Sequence, residues 1–78
     1  VAARDYSHSP LPEIEEITKR RKELGILQAD LAIVAGFATK TISAWETGLK
    51  KPHDLAFCLS ILHEAMDKIV KERKQRND

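Results

Sequence analysis

Three groups of side chains in this chain could do chemistry: the basic run Lys19-Arg20-Arg21-Lys22, the basic pair Lys50-Lys51, and the scattered soft donors His8, His53, His63 and Cys58. Basic runs bind anions, phosphate above all, when folding gathers them on one face. Imidazoles and a thiol can hold zinc, but neither the spacing of these four nor the order of the nearby carboxylates fits a zinc site. They read instead as surface histidines and a core thiol. No nucleophile stands beside a base, and no glycine loop is built to cradle phosphate. The chain is therefore not expected to be an enzyme or to carry a metal or cofactor.

The total charge says little, since thirteen Lys and Arg stand against twelve Asp and Glu. Its distribution says more. Up to Thr18 a single Arg4 faces Asp5, Glu13, Glu15 and Glu16, whereas Glu23 is the only acidic residue among the next five. A neutral total is compatible with a basic face, although the same charges suit solvated helix ends. Arg21 is the odd member of these runs, because it shares a helical stripe with Ile14, Ile17 and Leu24. A charged residue on an apolar seam either reaches out to solvent or meets a buried carboxylate. Spacing alone leaves both open.

The elements that must position these groups are helices. Residues 1–11, with Ser7, His8, Ser9 and Pro10 and no apolar period, read as a flexible arm. Pro12 suits a first helical turn, Gly25 a left-handed stop, and charge runs from acidic to basic between them, which complements the helix dipole. A compact segment comes next, from Gln28 to Ala35, with Leu31, Ala32 and Ala35 on one face, and Gly36 interrupts it. The next helix runs roughly from Ala38 to Glu46, with Thr41, Ile42 and Trp45 inward. Two short helices joined by a tight turn at a glycine form a helix-turn-helix pattern. Gly48 ends the third helix, Pro52 closes a loop, and Asp54 can cap the helix after it.

From Leu55 onward the spacing of Leu55, Leu59, Leu62, Met66 and Ile69 is a heptad seam that continues to Arg73. Residues 55–62, LAFCLSIL, are apolar nearly all round, so one side should cover the chain's own core and another a partner. Either one long helix or a corner near His63 followed by a fifth helix fits the pattern. The domain is expected over 12–70, with 71–78 a frayed polar tail. An apolar content of 42% places the chain in the ordinary globular class. The lone Cys58 points to a reducing, cytoplasmic setting, and no apolar run is long enough to cross a membrane. A core this small supplies only about 3–5 kcal/mol, which favours a partner subunit.

Residues from about Ile17 to Pro52 resemble the Cro/C1-type (XRE-like) family of helix-turn-helix DNA-binding domains. The resemblance rests on Arg21, Gly25, Gln28, Leu31-Ala32, Gly36, Ile42-Ser43, Trp45-Glu46, Gly48 and Pro52, an ordered set at fixed spacing. It implies an all-α, lambda-repressor-like bundle of four to five helices. It also implies roles. Thr39, Lys40, Ser43 and Ala44 would face base edges in the major groove, while Gln28, Thr47, Lys50 and Lys51 would contact phosphates. Arg21 and Glu46 would form a buried structural ion pair. Two positions depart from the family pattern: Leu27 and Ala38 stand where Ser or Thr usually caps a helix, so helix starts could shift and Thr39 could serve as the cap.

The resemblance implies a sequence-specific regulator of transcription, most simply a repressor, bound as a homodimer to a pseudo-palindromic site in double-stranded DNA. Phe57, Leu59, Leu62, Met66 and Ile69 are the residues expected at the dimer interface. The competing expectation is an antitoxin or adaptor whose main business is with another protein, such as a toxin.

Overall fold

Pro12 opens α1 (Pro12–Glu23), where its missing N–H costs nothing and its fixed φ already suits a helix. Glu13 and Glu15 lie in the first turn and Arg20, Arg21 and Lys22 in the last, so both ends meet the helix dipole with the favourable charge. The structure, a computed structural model, describes residues 9–76. Residues 1–8 of the expected arm and 77–78 of the expected tail lie outside the described residues.

The helix stops at Gly25, whose φ is +67°. There the Gly25 N–H donates to the Lys22 carbonyl at 3.1 Å and the Ile26 N–H to the Arg21 carbonyl at 2.9 Å, the paired bonds of a Schellman stop. The chain then enters α2 (Gln28–Ala35) and, after three residues, α3 (Thr39–Thr47). Both begin from extended apolar residues, Leu27 and Ala38, and neither start has a side-chain cap. Thr39 is therefore the first residue inside α3 and not its cap.

Between α2 and α3 the turn depends on Gly36, at φ +82°, whose own N–H and that of Phe37 both donate to the Ala32 carbonyl at 2.8 and 2.9 Å. A Cβ at Gly36 would meet nothing within 4 Å. The cost of a side chain there is thus purely that of the left-handed backbone, about 1–2 kcal/mol. Gly36→Ala is expected to lower the Tm by roughly 4–16 °C in a domain of this size, with Gly36→Asn losing less. Thermal melts by circular dichroism measure both, and an unchanged Tm for the alanine variant would contradict a left-handed turn.

Asp54 caps α4 (Leu55–Arg76): its Oδ1 accepts the Phe57 N–H at 3.1 Å. The helix passes through His63 without a corner and carries on through residues 71–76, the segment expected to fray. Arg73 ties that end down, donating to the carbonyls of Leu24 and Gly25 where α1 terminates. Four helices and no strand make up the described residues, so the fold is all-α. None of these helices is long and apolar enough to cross a membrane.

The core takes Ile14 and Ile17 from α1, Leu31 and Ala32 from α2, Ile42 and Trp45 from α3, and Ile26 from the first turn. Cys58, Leu62, Ala65, Met66 and Ile69 of α4 complete it, and α4 packs on both α1 and α2. Phe37 meets Trp45 edge-on, ring centres 5.1 Å apart. This arrangement corrects the expected dimer interface. Leu62, Met66 and Ile69 are buried in the chain's own core, Leu59 packs against it, and of the five only Phe57 faces solvent. A heptad seam marks a buried face, and here α1 and α2 bury it.

Cys58 is a core thiol without a disulfide partner. Burial, with a smaller push from the Asp54 carboxylate, raises its pKa above the ordinary thiol value, so near neutral pH it fills space and is no nucleophile.

Candidate nucleic-acid interface

The position of α3 is set by Arg21, which is buried although charged. Its fork is met on three sides: Nε donates to Glu46 Oε2 at 2.8 Å, Nη2 to Glu46 Oε1 at 2.9 Å, and Nη1 to the Ile26 carbonyl at 2.7 Å. Gln28 Nε2 donates to the same Glu46 Oε1 at 2.7 Å. The Glu46 side chain is only 7% exposed, so these donors take the place of water around its carboxylate. Among the described residues no buried side-chain nitrogen or oxygen lacks a partner. One residue from the end of α1, one from the start of α2 and one from the end of α3 are thereby locked together.

Gln28 thus joins the ion pair as a third member, and a phosphate bond from it would have to come from its second amide N–H. An amide at the start of α2 carries no sequence signal that separates a phosphate partner from a neighbouring carboxylate. Glu46 lies eighteen residues downstream, a separation that only the tertiary fold closes.

On the inward side of α3, Ile42 and Trp45 are core residues. On its other side Thr39 and Lys40 are exposed, while Ser43 and Ala44 are half-buried. The four expected base-reading residues therefore share one accessible face, with its reach concentrated at Thr39 and Lys40. Thr47 is exposed, but its hydroxyl donates to the Ala44 carbonyl at 3.2 Å and spends its proton within the helix.

After Gly48 the loop folds back on α3, with the Lys50 N–H donating to the Ala44 carbonyl at 3.2 Å. That bond brings Lys50 to the rim of a shallow recess that Lys40 also edges, lined between them by Thr41, Ala44, Trp45 and Leu49. Lys51 is exposed beside it. Leu49, 62% exposed, makes an apolar ledge next to Ala44 that sequence reasoning misses, since a lone leucine in a loop carries no signal. The face therefore offers hydroxyl and ammonium donors around a small apolar patch, and the one carboxylate of α3 is neutralised inside.

The other basic run is spent differently. Arg20 bonds His63 Nδ1 at 2.9 Å and pairs with Asp67, across to α4. Both partners are substantially exposed, so this pair adds little stability. Arg21 is buried, which leaves Lys19 and Lys22 as the solvated members. Among the described residues no three His, Cys, Asp or Glu side chains gather in a way that could hold a metal ion.

The chain matches no known protein family, no curated protein and no solved structure.

Proposed function

We propose that this chain is a Cro/C1-type helix-turn-helix domain with a lambda-repressor-like fold, which binds double-stranded DNA sequence-specifically through α3. The observation that carries this reading is the asymmetry of α3. One side is fixed by Ile42, Trp45 and the Arg21–Glu46–Gln28 cluster, while the other presents Thr39, Lys40, Ser43 and Ala44 beside Lys50. Short polar side chains on a rigid helix suit base edges in a major groove about 12 Å wide. Lys40 is the natural donor to guanine O6 and N7, and the Ala44 methyl suits thymine. Lys50 and Lys51, at the exit of α3, suit phosphates.

As a homodimer the protein would set two such helices into successive major grooves, about 34 Å apart, on a pseudo-palindromic site. Repression is the simplest consequence, since occupancy alone can block a promoter. Selection of bound sites from random duplexes tests the reading, with Lys40→Ala and Ser43→Ala beside the wild type. Wild type should enrich a two-fold site, and Lys40→Ala should relax one base pair in each half by about 1–3 kcal/mol of discrimination. No enrichment by folded wild-type protein would remove the DNA reading. It would leave the antitoxin or adaptor alternative, which exposed Phe57 and Ile33 favour.

A further inference from the structure

Phe57 is a large aromatic side chain, 60% exposed, at the start of the longest helix. It belongs to a second stripe on α4, separate from the heptad seam that packs on α1 and α2. Asp54, Phe57, Ile61, Ala65 and Lys68 fall within an arc of about 80° on a helix turning 100° per residue. Eight residues beyond Phe57 the surface is concave: a recess with nearly buried Ala65 at its floor is lined by Val34, Ile61, Glu64 and Lys68. One stripe therefore carries both a knob and a hole.

These features are symmetric about Ile61. Phe57 lies four residues before it and Ala65 four after, about 6 Å along the axis in each direction. Asp54 lies seven before and Lys68 seven after, about 10 Å each way. If a second α4 is laid antiparallel with a two-fold axis at Ile61, each Phe57 meets the other copy's Ala65 recess. Each Asp54 then meets the other copy's Lys68, and the two Ile61 side chains meet on the axis. A two-fold interface must be self-complementary in this way.

The charges agree. Asp54 accepts the Phe57 N–H with one carboxylate oxygen, and among the described residues nothing donates to the other. Lys68 is exposed and, among the described residues, pairs with no carboxylate.

We infer that the Asp54–Phe57–Ile61–Ala65–Lys68 stripe of α4 binds a second copy of this chain, antiparallel about Ile61, with each Phe57 seated in the other's recess. This surface replaces the heptad seam as the dimer interface. It takes up the dimer of the proposed function but not its DNA, and it is tested without DNA, so failure of either leaves the other to be judged separately.

The test is sedimentation of the pure protein at micromolar concentrations, together with thiol cross-linking. Wild type should sediment as a dimer. Phe57→Ala should keep its helical circular dichroism and raise the dimer dissociation constant about tenfold or more, since two buried aromatic anchors are lost. Ile61→Cys, placed on the axis, should form a disulfide-linked dimer under mild oxidation, whereas Lys68→Cys, about 20 Å from its own copy, should not. A monomeric wild type, a Phe57→Ala dimer as tight as wild type, or cross-linking through Lys68→Cys in preference to Ile61→Cys would each overturn the inference.

Discussion

Glu46→Ala is expected to cost about 3–5 kcal/mol, the usual cost of removing one partner from a buried ion pair. A core of this size supplies only about that much net stability, so the variant should be largely unfolded near 37 °C. The cost arises from the groups left behind. Without the carboxylate, Arg21 keeps only the bond from Nη1 to the Ile26 carbonyl, and its Nε and Nη2 donors are stranded in a site with almost no water access. Gln28 loses its partner too.

Two companion variants separate charge from packing. Glu46→Gln keeps an acceptor oxygen but no charge and should lie between wild type and alanine. An Arg21→Met, Glu46→Leu double variant should recover most of the loss, because buried pairs are seldom better than an apolar replacement of similar volume. Thermal and urea melts followed by circular dichroism measure all three. If Glu46→Ala melted within a degree or two of wild type, the cluster could not be what holds α3.

The reason for a charged lock at this place lies in the geometry of α3. The helix has nine residues and no side-chain cap at its start, and Ile42 and Trp45 are its only buried apolar side chains. Apolar packing is tolerant of small rotations, whereas a bidentate guanidinium–carboxylate pair is directional. A helix that presents short side chains such as Thr39 and Ser43 can read a surface only if its own rotation is fixed. Gly48, by stopping α3 one residue after Thr47, sends the backbone round so that Lys50 returns to the same face.

Much of this was legible in the sequence because it is local. The stops at Gly25, Gly36 and Gly48 are backbone requirements that only glycine meets cheaply, and the amphipathic stripes of α1 and α3 mark which sides are inward. The heptad of α4 was legible as a buried face but not as to what buries it. Docking on α1 and α2 produces the same 4-3-4-3 spacing as docking on another chain, which is why Leu62, Met66 and Ile69 turned out to be core. The clue was Arg73, which continues that seam and ends on the carbonyls of Leu24 and Gly25, so the seam and the helix extend together past residue 70. Gln28 shows the opposite limit. Its partner is a carboxylate brought near only by tertiary packing, and no spacing rule connects the two.

Binding to DNA should weaken steeply with salt, and Lys50 and Lys51 should carry a defined part of that dependence. Each phosphate neutralised contributes about −0.9 to the slope of log affinity against log salt. If both lysines contact phosphate in each protomer of a dimer, the Lys50→Ala, Lys51→Ala double variant loses four contacts, and its slope becomes shallower by about 3.6. Between 50 and 200 mM salt the wild type should then lose about a hundredfold more affinity than the variant does. The loss should be uniform across operator sequences, because phosphate contacts position the protein without reading it. Fluorescence anisotropy titrations over a salt series supply the slopes. An unchanged slope would remove these lysines from the interface, and an altered site preference would make them readers. A shift of about 1.8 instead of 3.6 would mean two phosphate contacts, either both lysines of a single protomer or one lysine in each of two, and the Lys50→Ala and Lys51→Ala single variants then show which lysine supplies them.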